Sequence, residues 1–200
     1  MIHQEIKKKM NIQQIDAKNI YFPPGGILMW IIIFLELITF GMGIVAMVYC
    51  GKQEPNLFHE SRLLLNPVYG VINTIILLTS GFCMAISVLY LKTGNKQKSK
   101  KFLLITMLFG MLFLIVKTIE YKAKIDIGQS INYNLFFTFY WLLTLFHVIH
   151  IIVGLVILGS TYFGLVKEKT SIEDFESSAT FWHMCDLIWL LIFPVIYLFF

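Results

Sequence analysis

Seven side chains in this sequence could carry proton or metal chemistry from inside an apolar layer. His147 and His150 stand three residues apart in a run, Ile127 to Val166, of forty residues without Asp, Glu, Lys or Arg. His183 and Asp186 repeat that spacing near the C-terminus, as do Lys117 and Glu120 further upstream, and Glu36 stands alone in WIIIFLELITF. On a helix, residues three apart share a face. His147, His150, His183 and Asp186 are four nitrogen and oxygen donors on two segments, of types that bind metals. The same types also glue membrane helices together through hydrogen bonds. The expectation is the second use, a buried polar network with no metal. Glu36 admits two roles, a structural hydrogen bond between helices or proton handling. Lys117 and Glu120 read as an outer-end ion pair, with the lysine snorkelling toward the interface.

An ionisable group at mid-membrane costs roughly 2.5–3.5 kcal/mol on insertion scales, so each needs an element that positions it. A bilayer core of roughly 30 Å takes about 20 helical residues, and five segments have that length and composition. They run about Ile27–Tyr49, Val68–Leu91, Phe102–Tyr121, Leu135–Gly164 and Ala179–Phe200. Asn66 and Pro67 are placed to cap and open the second, and Pro194 predicts a kink in the fifth. The fold class expected is therefore all-α, a polytopic bundle of five transmembrane helices. Glu36 lies nine residues into its segment, about 14 Å at 1.5 Å per residue. His150 lies about 15 Å from the same surface if its segment leaves the core near Ser160. Equal depth predicts that Glu36 pairs with His150 or His147, because each polar group left alone bears its own desolvation cost.

Composition agrees: 200 residues, 58% hydrophobic, with a mean hydropathy of +0.75. Nothing outside the spans is long enough for a soluble domain, so the division is a tail at 1–26 and a bundle at 27–200. The tail has no apolar stretch directly after its lysines, which argues against a cleaved signal peptide. Ile2, Ile6 and Met10 could form a weak interfacial helix, broken by Pro23-Pro24-Gly25-Gly26. The net charge of +4 does not point to nucleic acid, since lysines cluster at span ends. Cys50, Cys83 and Cys185 are widely separated, which excludes a disulfide framework, a two-cysteine copper centre and a CxxCH haem attachment.

Orientation follows the basic residues. The tail, the loop Lys92–Lys101 and the loop Lys167–Ser178 hold eleven, whereas Gly51–Asn66 and Lys122–Asn134 hold four. The N-terminus is expected in the cytoplasm and the C-terminus outside. Gly81-x-x-x-Ala85 and Ser160-x-x-x-Gly164 have the spacing of close helix contacts. Ser171 to Asp174 resembles a capping box for a short helix before the last span. The aromatic excess reads as lipid-facing and interface-anchoring material.

Beyond periodicity, the pattern FHVIHIIVG, then Phe175-Glu176, then FWHMCDLIW resembles the end of subunit III of the haem–copper oxidases. Glu36 in WIIIFLELITF resembles that family's buried glutamate. Asn73-Thr74 in VINTIILLTSG and Glu120-Tyr121 in KTIEY fall in the same order and spacing, so the resemblance covers the chain from Pro24 onward. It departs from the seven-span form in lacking the first two spans, which leaves lipid binding between that pair and the rest without a counterpart. Lys117 stands where the oxidase pattern usually has glutamine. PGGILMW, K-x-x-EY, FYWLLTLFH and WHMCDLIWLLIFP look closest to the five-span branch associated with nitric oxide reductase. The resemblance implies a non-catalytic subunit without cofactors of its own in a bacterial plasma membrane. Its partners would be membrane lipids and a haem-containing catalytic subunit, whose assembly, stability or proton access it supports. Glu36 would be the buried acid, His147, His150, His183 and Asp186 its supporting network, and Asn73 and Thr74 inter-helix hydrogen bonds. Alternatives are subunit III of a terminal cytochrome c or quinol oxidase and, from another class, a small membrane transporter. A transporter usually shows inverted repeats or broken spans, and neither is evident here apart from Pro194.

Overall fold

The computed structural model describes residues 25–200. The expected tail, with its interfacial-helix reading, lies outside the described residues apart from Gly25 and Gly26. Six helices make up the described chain: α1 Gly26–Gln53, α2 Pro55–Leu63, α3 Pro67–Lys92, α4 Lys96–Asp126, α5 Leu135–Val166 and α6 Ile172–Tyr197. All but α2 are long and apolar enough to cross a membrane, so the five-span, all-α expectation holds.

Local chemistry sets the boundaries. Gly25, at φ 82°, precedes α1, and its carbonyl accepts a 2.8 Å hydrogen bond from Ser177 Oγ of α6. A Cβ there would lie 2.9 Å from the Ser177 backbone, so both dihedral and space require glycine. Asn66 accepts from the Val68 amide at 3.0 Å, with Pro67 opening α3 as expected. Asn95 and Asn134 cap α4 and α5 in the same way, each meeting one of the amides that a helix start leaves unpaired.

Two boundaries differ from the sequence reading. Ser171 and Asp174 do form a capping box, but it opens the last span itself at Ile172 rather than a separate short helix. Between α1 and α3 the expected loop contains α2, which Pro55 separates from α1 because proline has no N–H to continue the ladder. α2 is mostly polar, yet it buries Phe58 and Ser61. Phe58 packs on Phe136 and Phe200, and Ser61 accepts 2.7 Å from Asn134. It closes one end of the bundle.

Around α6 the other spans form an open ring. α1 packs on α5, α5 on α4 and α4 on α3, and α6 lies against α1, α3 and α5. α3 and α4 form the tightest pair, sewn by Ser80 to the Thr106 carbonyl at 3.0 Å and Ser87 to the Ser99 carbonyl at 2.7 Å. Trp182 of α6 is fully buried and donates 3.1 Å to Ser80. It fits because Gly110 of α4 and Gly154 of α5 face its ring, where a Cβ would approach to 2.6 and 3.0 Å. The small-residue pairs expected from spacing do not act as pairs, since Ala85 and Ser160 are exposed.

One end of the bundle gathers Gly25 with the α3–α4 and α5–α6 turns. Lys92 meets Glu176 at 2.5 Å and Lys96 meets Glu168 at 3.2 Å across them. The loops richer in basic residues therefore share an end with the start of α1. Outward positions such as Leu28, Phe82, Val156 and Phe163 are exposed and apolar, as suits a surface solvated by lipid.

Candidate functional site

Glu36 of α1 and His150 of α5 meet, as equal depth predicts. Oε2 and Nε2 are 3.0 Å apart, with the side chains 24% and 11% exposed. The contact is at ion-pair distance, yet Oε2 has no hydrogen bond of good alignment. His150 Nδ1 lies 2.7 Å from the Phe146 carbonyl. A carbonyl only accepts, so Nδ1 is the donor there and Nε2 is the nitrogen that faces the carboxylate. The rings of Phe40 and Phe146, centred 5.4 and 4.6 Å away, flank the imidazole, and Cys185 Sγ reaches the His150 carbonyl at 3.8 Å. Phe40 and Phe146 also line an apolar groove of about 460 Å³ between α1 and α5. The pair sits at the rim of the bundle, not at its centre.

His147 is not Glu36's partner. It is fully buried among Phe113, Phe40 and Trp189, and neither ring nitrogen has a hydrogen-bond partner among the described residues. One turn before His150, it packs between Phe40 of α1, Phe113 of α4 and Trp189 of α6 and does not reach Glu36. Asn73 is also fully buried with both amide atoms unpaired, so the structure does not show the inter-helix bond expected of it. Its neighbour Thr74 does make one, accepting 3.0 Å from Trp189 Nε1. His183 and Asp186 form a separate dyad, Nδ1 to Oδ2 at 3.6 Å, rather than joining a network around Glu36.

Lys117 and Glu120 depart most from expectation. They do not snorkel: their side chains are 1% and 2% exposed, and Nζ lies 2.9 Å from Oε2. Glu120 Oε1 accepts from Tyr140 at 2.8 Å and from Tyr197 at 2.6 Å. Lys117 also donates to Tyr197 at 3.1 Å and lies 5.1 Å from the ring centres of Tyr140 and Trp189. The physical reason is local: two phenols and an indole, drawn from α5 and α6, replace the water that snorkelling would have reached. Tyr140 and Tyr197 were hidden in the sequence because phenols near span ends look like interface anchors. Among the described residues, no three His, Cys, Asp or Glu side chains converge to hold a metal.

Comparison with known proteins places these features in a family. The model of cytochrome c oxidase subunit III matches residues 24–200. The chain is 27% identical over 181 residues to the heme-copper oxidase subunit I+III of Aeropyrum pernix, covering 85% of this chain and 22% of that protein. It is 36% identical over 130 residues to cytochrome c oxidase subunit 3 of Prototheca wickerhamii, covering 63% and 48% of the two chains. With the Loxodonta africana subunit 3 it shares 32% over 138 residues, covering 66% and 51%. The chain thus spans about half or less of the length of these curated relatives. Its five apolar helices and the match along nearly its whole length make this chain a member of the cytochrome c oxidase subunit III family.

Proposed function

We propose that this chain is a non-catalytic subunit of a haem–copper respiratory complex, seated in a bacterial plasma membrane beside a haem-containing catalytic subunit. The observation that carries this reading is the 181-residue match to a relative whose name joins subunits I and III in one chain. A sequence that is fused to subunit I in one protein works next to it in another. The subunit's contribution is to assembly, stability or proton access, with Glu36 and His150 meeting at 3.0 Å at the bundle's rim. The N-terminus lies in the cytoplasm and the C-terminus outside, following the basic residues.

Within the family, the buried Lys117 and its K-x-x-EY context favour the five-span branch associated with nitric oxide reductase. Affinity purification of the tagged chain in mild detergent tests both levels. A haem-containing large subunit should co-elute and bring its absorbance. Membranes lacking this chain should lose nitric oxide consumption and keep oxygen consumption. A haem band that survives removal of every partner ends the non-catalytic reading, and loss of oxygen consumption alone reassigns the branch.

A further inference from the structure

We propose that a polar cavity between the end of α5 and the start of α6 holds the head group of a phosphatidylethanolamine, its ammonium on Asp174 and its phosphate on Lys169. The site is independent of the partner proposed above and lies within α5, α6 and the turn that joins them. The cavity has a volume of about 410 Å³, and Lys169, Asp174, Thr161, Ser177 and Ser178 line it. Its depth is fixed by its neighbours. Ser177 donates to Gly25 at the start of α1, and the adjoining Glu176 and Glu168 meet Lys92 and Lys96 of the α3–α4 turn. Charged residues of two turns thus gather at this end, where the head groups of a membrane lie. Ser160, also on the cavity wall, is exposed on the face of α5 that carries Val156 and Phe163. The cavity therefore borders the surface that acyl chains cover.

Lys169 and Asp174 bring opposite charges to one cavity, yet among the described residues neither makes an ion pair. Asp174 uses Oδ2 in the Ser171 cap, accepting from the amide at 3.3 Å and the hydroxyl at 2.7 Å, and Oδ1 has no hydrogen bond from a described residue. The hydroxyl protons of the wall are already engaged. Ser177 donates to the Gly25 carbonyl at 2.8 Å, Ser178 to the Asp174 carbonyl at 2.8 Å and Thr161 to the Ile157 carbonyl at 3.0 Å. What these oxygens have left is lone pairs. An anion alone would meet acceptors and a carboxylate, and an apolar chain would leave them unpaired. A primary ammonium brings three N–H donors to Oδ1 and the hydroxyl oxygens, and a phosphate linked to it gives Lys169 a charged acceptor. Phosphatidylethanolamine carries both on one head group. Choline lipids have the phosphate but no N–H, and glycerol lipids have no cation.

The test is native mass spectrometry of the full chain in detergent, titrated with phosphatidylethanolamine, phosphatidylcholine and phosphatidylglycerol of the same acyl chains. The ethanolamine lipid should bind about ten-fold more tightly than either of the others, the effect of a charge-assisted hydrogen bond. Asp174→Asn keeps an oxygen for the Ser171 cap and removes the charge, and should erase the preference for ethanolamine over choline. Lys169→Ala should weaken both of those lipids by about ten-fold, because both present a phosphate. Lys167→Ala, outside the cavity, should change neither. Thermal unfolding in detergent checks that the variants fold, and Lys169, on the exposed turn, decides the outcome should the capping variant lose stability. Equal binding of the three lipids by the wild type, an ethanolamine preference that survives in folded Asp174→Asn, or undiminished binding by Lys169→Ala would overturn the site. Displacement of the lipid by an equal concentration of free phosphoethanolamine would overturn the lipid assignment in favour of a soluble zwitterion.

Discussion

Single side chains decide how this subunit tolerates charge in an apolar layer. Glu36→Gln keeps the shape and a donor toward His150, and we expect it to fold normally. Glu36→Leu strands Nε2, at a cost of about 1–3 kcal/mol; thermal unfolding in detergent distinguishes the two. Glu120→Ala should be harsher, about 3–5 kcal/mol, because it leaves Lys117 buried without its counter-ion. Lys117→Met combined with Glu120→Gln removes both charges, keeps acceptors for the two phenols, and should recover most of that loss in the same assay. The Glu36–His150 pair was legible from sequence because depth along a helix is simple arithmetic. The tyrosines of the second cluster were not, since nothing in a sequence tells a phenol facing a buried carboxylate from one facing headgroups. His147 and Asn73 carry the opposite lesson: polarity in a span marks a residue as special without naming a partner.

At the scale of elements, capping residues and apolar runs gave five spans, but their edges moved. The third was read as 102–121 and extends over Lys96–Asp126, because hydropathy registers the hydrocarbon depth and not the helix that projects beyond it. The fifth begins at Ile172 rather than near Ala179, since its first turn is polar and its start is written in the Ser171 cap. α2 escaped detection because a nine-residue, largely polar helix has too few apolar positions for a period to show. Close packing was legible only as glycine abundance. Two glycines face Trp182, and Gly110→Ala or Gly154→Ala should each destabilise the bundle by about 1–3 kcal/mol through overpacking. Intrinsic fluorescence of the four tryptophans, Trp182 among them, followed through unfolding measures both. An unchanged midpoint for Gly110→Ala would mean that the indole shifts without cost.

For the molecule as a whole, the arrangement of ends is testable in intact cells. Gly94, in the α3–α4 turn, and Glu60, on α2, lie at opposite ends of the bundle. Cysteines placed there should react with a membrane-impermeant reagent from opposite sides, Glu60 from outside. Reaction of both from one side would show that the lysine distribution does not govern this chain. That the basic loops share an end was legible from counting lysines. The opening between α1 and α3 was not, because which neighbours a span lacks is a property of packing that no single span encodes.

The cluster at Lys117 also bears on how the chain is made. Its parts come from α4, α5 and the last turn of α6, so a ribosome delivers them in that order, with Tyr197 seventy-seven residues after Glu120. Lys117 and Glu120 therefore enter the membrane ahead of Tyr197. Their three-residue spacing lets them travel as a self-neutralised pair. A nascent chain stalled before Tyr197 would hold that pair by its own contact and Tyr140 alone, and stay open to quality-control proteases.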